Sequence, residues 1–340
     1  MNKDVLDTIN FFPDQLLEAW QKVNKINIPE NYQNFKHVLV CGMGGSALGA
    51  RVVKSLAFNN LPVSIEVVAG YSLPLYAQQN SLVIASSYSG NTEETISCLG
   101  EALVKNLPIF VVAAGGELVK IAQKNNLPVY VLNPKFNPSN QPRFAVGYSI
   151  GAIIAILANI GVLDLGKSKV YEVVDFLRIK QTVLKTEAEK IANSIKGKVP
   201  VLIASEHLVG SAHVFKNQLN ESAKTFSVLF DIPELNHHLM EGLKNPAEAV
   251  SKLAFIFFES HLYHERIQKR YSLTKDVVEK NNIQTITYRM AGESTLEQVF
   301  ELIQFGSYSQ MYLSAVYGED PISIPWVDYF KQRLEVNKDP

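Results

Sequence analysis

Ser87-Tyr88-Ser89-Gly90-Asn91-Thr92 places three aliphatic hydroxyls within six residues, between a short apolar run and the start of a helical pattern. Hydroxyls beside the unpaired amides of a helix N-terminus form an anion site, and one this compact suits a phosphate monoester. A single serine here would more often bond its own turn, with Thr92 or Asn91 merely capping the helix. A cluster outweighs that reading. Glu93 and Glu94 follow at once. They suit a first helical turn electrostatically but would repel phosphate, so they are expected to face solvent or a partner subunit.

A second loop, Gly42-Met43-Gly44-Gly45-Ser46-Ala47-Leu48-Gly49, also joins an apolar run to a helix. Gly42, Gly44 and Ala47 match the loose dinucleotide fingerprint, and Glu66 falls near the end of the next apolar run, where a ribose-binding acid would sit. A nicotinamide dehydrogenase is therefore one reading. Any ligand nearing a strand-to-helix turn wants glycine there, however, and the hydroxyl cluster favours a compact phosphate over a dinucleotide. No nucleotide or other cofactor is expected.

These loops need a scaffold, and the pattern around them supplies one. Short apolar runs at His37–Cys41, 63–68, 82–86, 109–113 and 129–132 alternate with helical segments. Continuous apolar strands alternating with helices predict a parallel sheet covered on both faces, where ligands bind beyond the carboxyl ends of the strands. Residues 5–25 have helical spacing with a break at Pro13, 143–163 form a closing helix, and 171–195 a long linking helix. The plan restarts with strands at 201–204, 225–230, 253–258 and 284–288, and helices at 211–224, 296–317 and 325–334. The expectation is an α/β chain of two doubly wound domains, 1–160 and 161–340, each with a mostly parallel five-stranded sheet flanked by helices.

The two loops together, with Ser86 and Thr95 flanking the second, resemble the sugar isomerase (SIS) domain. More narrowly, the chain is similar to the bifunctional phosphoglucose/phosphomannose isomerase family. The likeness continues through Asn217-Gln218-Leu219-Asn220-Glu221, Pro233-Glu234-Leu235-Asn236-His237, Asp320-Pro321 and the terminal helix with Lys331, and so spans essentially the whole chain. It implies two SIS domains, a homodimer with sites shared between subunits, and aldose–ketose isomerisation of hexose 6-phosphates. That reaction needs a phosphate anchor, a ring-opening acid, a base for the migrating proton and a charge to hold the enediolate. Ser87, Ser89, Thr92, Ser46 and the Gly45 amide are the anchor. Glu221, by its register with the family pattern, becomes the base, although most glutamates are surface residues. His237 becomes the ring-opening group, since imidazole donates and accepts near neutral pH, and the resemblance implies that it reaches the site of the neighbouring subunit. His238 is adjacent and stays an alternative. Arg143, placed after Pro142 at a helix start where the dipole disfavours a cation, suits an enediolate oxygen. Lys331 resembles the family's C-terminal lysine that assists ring opening.

Composition sets the outer bounds. The chain has 340 residues, a net charge of −1 and 47% hydrophobic residues, so nothing suggests a nucleic-acid groove or a polybasic membrane patch. The N-terminus lacks an apolar signal core, and 150–163, the most apolar stretch, is too short to span a bilayer. Cys41 and Cys98 do not form a disulfide framework, which fits a reducing, cytoplasmic setting. No metal is expected: the seven histidines are scattered, and His261, His264 and Glu265, at helical spacing, lack a third ligand element. A non-catalytic sugar-phosphate regulator would keep the serine loop but lose the base and histidine, both present here. An isomerase for one epimer is the narrower alternative, with Ser323 and Ile324 in the terminal loop as candidate selectors.

Overall fold

The computed structural model describes residues 2–56 and 61–336. The first half builds a five-stranded sheet from β1 (His37–Cys41), β2 (Ser64–Val68), β3 (Ser81–Ser87), β4 (Ile109–Ala113) and β5 (Val129–Val131), in the order β2-β1-β3-β4-β5. Every pairing is parallel. β3 and β4 are buried at every residue, as apolar runs covered on both faces must be. The register, with Cys41 opposite Ala85 and Ser87 opposite Ala113, brings the carboxyl ends of β1, β3 and β4 side by side. The loops into α3 (Gly44–Leu56), α4 (Glu93–Val104) and α5 (Gly116–Lys124) therefore emerge together.

The N-terminal helical run is two helices, α1 (Lys3–Asn10) and α2 (Phe12–Val23). Pro13 sits in the first turn of α2, where its missing N–H has no intrahelical acceptor to lose. α6 (Val146–Asn159) is apolar on all sides and buried from Val146 to Leu157, because α2 and α3 both pack on it. Burying Ile153, Ile154 and Leu157 stabilises the fold by about 1.5–3 kcal/mol each. Among the described residues no helix is long and apolar enough to cross a membrane.

α7 (Lys167–Ser194) leads to the second sheet, made of β6 (Val199–Ala204), β7 (Val228–Asp231), β8 (Leu253–Glu259) and β9 (Gln284–Arg289) in the order β7-β6-β8-β9, again all parallel. Between these strands lie α8 (Val209–Glu221), the short α9 (Ala247–Val250) and α10 (Glu265–Lys280). The expected fifth strand of this sheet does not occur among the described residues. After β9 the chain enters α11 (Thr295–Tyr317), opened by a Ser294–Glu297 capping box and closed by left-handed Gly318. In the segment that follows, 319–324, the carbonyls of 320–323 are engaged by side chains instead of a strand, and the chain leads into α12 (Pro325–Val336). α11 is buried over most of its length against α7 and α8, while α8 also packs directly on α3. The helices of the two sheets thus share one interface.

Candidate active site

Three loops interlock at the carboxyl edge of the first sheet. Ser87 ends β3 and is buried; its Oγ lies 2.7 Å from Thr92 Oγ1 and 3.5 Å from Ser89 Oγ, and accepts from the Gly90 amide at 3.1 Å. Thr92 occupies the N-cap position of α4, yet its side chain makes no capping bond and turns to Ser87. Ser46, in the first turn of α3, accepts from the Tyr88 amide through Oγ at 2.9 Å and ties the glycine loop to the serine loop. The third loop, Ala114-Gly115-Gly116, closes on the serine loop: the Ala114 amide donates to Tyr88 O, Leu118 to Gly90 O and Glu117 to Asn91 Oδ1. Gly90 has φ +72°, and a Cβ there would lie 1.8 Å from the Gly115 carbonyl oxygen. Only glycine permits that approach. Tyr88 is braced from below by Asn137 at 2.8 Å. The Tyr71 hydroxyl donates to Glu93 at 2.5 Å, which engages the acid nearest the loop.

Arg143 lies beside this nest. A Cβ on Gly45 would stand 3.1 Å from the Pro142 carbonyl, so the glycine loop rests on the Pro142–Arg143 backbone. Arg143 does not open the following helix, as its place after Pro142 suggested. It sits in a 3-10 turn, Pro142–Phe144, and α6 begins at Val146. It is also not a solvated arginine: it is 2% exposed, and all five N–H groups have acceptors. Nε donates to Ser222 Oγ at 2.9 Å, Nη1 to Gln141 Oε1 at 2.8 Å and Glu221 Oε1 at 3.0 Å, and Nη2 to the carbonyls of Pro321 at 2.6 Å and Ile322 at 2.8 Å. Burial lowers its proton affinity, and the Glu221 carboxylate opposes that. Glu221 is the last residue of α8, with its side chain about one-third exposed beside the guanidinium. One turn earlier, Gln218 donates to the Arg143 carbonyl at 2.9 Å and accepts from Ser307 of α11. Arg143 and Gln218 thereby join the end of α8 to the Pro142–Phe144 turn twice.

The other two candidates are not gathered here within one chain. His237 ends a 3-10 turn, Glu234–His237, beyond β7 and is exposed, with no side-chain hydrogen bond among the described residues. His238, also exposed, lies 4.0 Å from Glu234. Lys331 lies on α12, which is exposed from Pro325 to Leu334 and presents Trp326 and Phe330 to solvent. Glu66 is mid-strand in β2, opposite Leu39 and two residues short of the strand end, so it does not stand where a ribose-binding acid would. It lines a cleft of about 1060 Å³ with Arg51, Lys54, Glu206, His213 and Asp231. His261 and His264 precede α10 and are not within it; His264 is its N-cap and accepts from the Arg266 amide. Among the described residues no three His, Cys, Asp or Glu side chains are grouped to hold a metal ion. Cys41 and Cys98 are free and buried.

Sequence reasoning missed the Gly115–Gly116 loop, Gln141, Ser222 and Lys224. A Gly-Gly pair after an apolar run was the available signal for the first. Apart from Gln141, the partners of Arg143 stand 78 to 179 residues away and left none.

With this geometry in place, residues 184–334 match the family model of the bacterial phospho-glucose isomerase C-terminal SIS domain. A bifunctional phosphoglucose/phosphomannose isomerase from Caldicellulosiruptor bescii is 28% identical, over 98% of this chain and all of that protein. Another, from Thermoplasma volcanium, is 30% identical over 88% of this chain and 92% of its own length. A D-glucosamine-6-phosphate 4-epimerase from Sulfolobus acidocaldarius is 33% identical over 66% of this chain and 70% of its own length. The chain belongs to the bifunctional phosphoglucose/phosphomannose isomerase family.

Proposed function

We propose that this protein is a metal-free aldose–ketose isomerase that converts glucose 6-phosphate and mannose 6-phosphate to fructose 6-phosphate, and back, through a cis-enediol. The observation that carries the reading is the hydroxyl nest of Ser46, Ser87, Ser89 and Thr92 built against the Arg143–Glu221 pair. The nest and the Gly45 amide bind the phosphate, which places C1 and C2 of the open-chain sugar at the carboxylate. Glu221 takes the proton from C2 of the aldose and returns it to C1, with the hydroxyl proton passing between O1 and O2. Arg143 steadies the carboxylate and, where substrate oxygen replaces Gln141 on Nη1, the enediolate. Glucose and mannose phosphates differ only at C2, so both reach the same enediol.

Ring opening falls to His237 with Lys331. Both are exposed and outside the nest in one chain, which fits a homodimer whose partner supplies His237. The broader reading keeps the two halves, 1–160 and 161–340, as doubly wound SIS units in a cytoplasmic enzyme. A second reading comes from the epimerase relative: the same nest holding glucosamine 6-phosphate with chemistry moved to C4.

Purified, EDTA-treated protein is incubated separately with fructose, glucose, mannose and glucosamine 6-phosphates, and products are resolved by chromatography. Both aldose phosphates from fructose 6-phosphate are expected. One aldose alone narrows the enzyme to one epimer, and a C4 epimer of glucosamine 6-phosphate as sole product replaces the proposal. Binding without any conversion leaves a sugar-phosphate regulator.

A further inference from the structure

The segment Asp320-Pro321-Ile322-Ser323 joins α11 to α12, and its four consecutive carbonyls are all held by two cations. Arg143 Nη2 donates to Pro321 O and Ile322 O. Lys224 Nζ donates to Asp320 O at 3.2 Å and Ser323 O at 2.5 Å. The third donation of Lys224 goes to the carbonyl of Glu221 itself, at 2.8 Å. One ammonium thus joins the last residue of α8 to the root of α12, while Arg143 joins the Glu221 carboxylate to the same root.

The backbone of Lys224 makes the case for a dedicated role. It lies three residues beyond the end of α8 with φ +52°. Seven described non-glycine residues have positive φ; five are asparagine, and Lys224 and Glu206 are the exceptions. Asparagine tolerates this conformation best after glycine, and a lysine there is strained. A cation near a helix C-terminus is favourable in general, but that would be met at any position of the last turn. Three donations to two separate segments would not. Among the described residues no side-chain hydrogen bond or ion pair ties α12 itself to the rest of the chain, and it is exposed from Pro325 to Leu334. Lys331 stands six residues into the helix, roughly 9 Å along its axis, so a change of angle at the root moves its ammonium by ångströms.

We propose that Lys224 is a positioning residue that, with Arg143, fixes the root of α12 to the Glu221 end of α8 and so sets the reach of Lys331. This rests on the functional reading above for Glu221 and Lys331. The test is Lys224→Asn, which suits the left-handed backbone and removes the ammonium. Its Tm is expected to equal or exceed that of the wild type. Amide hydrogen exchange over 320–336 is expected to rise about tenfold, and kcat on fructose 6-phosphate to fall about tenfold with KM changed less than about threefold. Lys224→Arg, which keeps a cation on the same carbonyls, is expected to restore most of the exchange protection and at least roughly a third of kcat. Wild-type exchange over 320–336 in Lys224→Asn overturns the clamp. Faster exchange with wild-type kcat overturns its link to catalysis. If the wild-type protein does not isomerise sugar phosphates, the functional reading fails by itself, and the exchange comparison still decides the clamp.

Discussion

At the scale of the residue, the proposed base Glu221 is held by its neighbours in a way that suits proton transfer. A carboxylate at the free end of a helix is ordinarily mobile and solvated. Here Arg143 holds one oxygen at 3.0 Å, while the guanidinium spends its other donors on protein acceptors. The second oxygen has no hydrogen-bond partner among the described residues and is the one available to a substrate carbon. Glu221→Gln keeps the shape and removes the base. It is expected to bind fructose 6-phosphate as tightly as the wild type while kcat falls at least roughly a hundredfold, with binding measured by calorimetry and turnover by a coupled assay. Near-full activity would move the base elsewhere.

At the scale of the element, the site depends on three loops whose backbones touch. Gly90→Ala adds a Cβ to a left-handed residue and directs it at the Gly115 carbonyl. Strain and overpacking together should cost about 2–4 kcal/mol, lowering Tm by roughly 4–8 °C and raising KM more than a surface Gly→Ala change such as Gly100→Ala. Much of this layer was legible in the sequence. Apolar runs gave the parallel strands of the first sheet, and the hydroxyl-rich loop lay where a strand meets a helix. What was not legible is long-range. Nothing local in Pro142-Arg143-Phe144 says that Arg143 is buried, because its partners arrive from α8 and from the root of α12. The second sheet was over-read by one strand because a symmetric plan was assumed, whereas the chain after β9 goes into a buried helix. The apolar run at 63–68 ends where β2 ends, at Val68, so Glu66 stands two residues inside the strand and not at its end.

The α3–α8 interface adds a pH response. Burial, with Lys216 and Arg51 nearby, pulls His213 down to about 4 from an ordinary value of 6.5. As pH falls below about 6.5 the unfolded chain gains a proton at this position that the folded chain refuses until about pH 4. Stability present above that window is therefore lost across it. His207, buried against Gln298, is shifted in the same direction. The Tm of the wild type is expected to fall between pH 7.5 and pH 5, and His213→Gln to flatten part of that fall. Parallel curves for the two proteins would place the pH response elsewhere.

At the scale of the whole molecule, one chain assembles the nest and the Arg143–Glu221 pair but leaves His237 and α12 exposed. The proposed homodimer, in which His237 serves the neighbouring subunit's site, accounts for this and makes a specific prediction about mixing. Glu221→Gln and His237→Ala are each expected to be poorly active alone. Unfolded together and refolded, they should form mixed dimers in which one site has an intact base from one subunit and an intact histidine from the other. About a quarter of all sites, and so about a quarter of wild-type activity, should return with random pairing. No recovery would place His237 in its own subunit's site or outside catalysis.

The central claim is proton transfer through an enediol at a site that accepts both epimers. It is tested most directly by incubating the wild-type protein with fructose 6-phosphate in deuterium oxide and reading the aldose products by NMR. The account predicts glucose 6-phosphate and mannose 6-phosphate, both carrying deuterium at C2. A deuterium content at C2 below unity measures how often Glu221 returns the abstracted proton before it exchanges with solvent; one aldose phosphate alone would contradict acceptance of both epimers, and the absence of any aldose phosphate would contradict the isomerase.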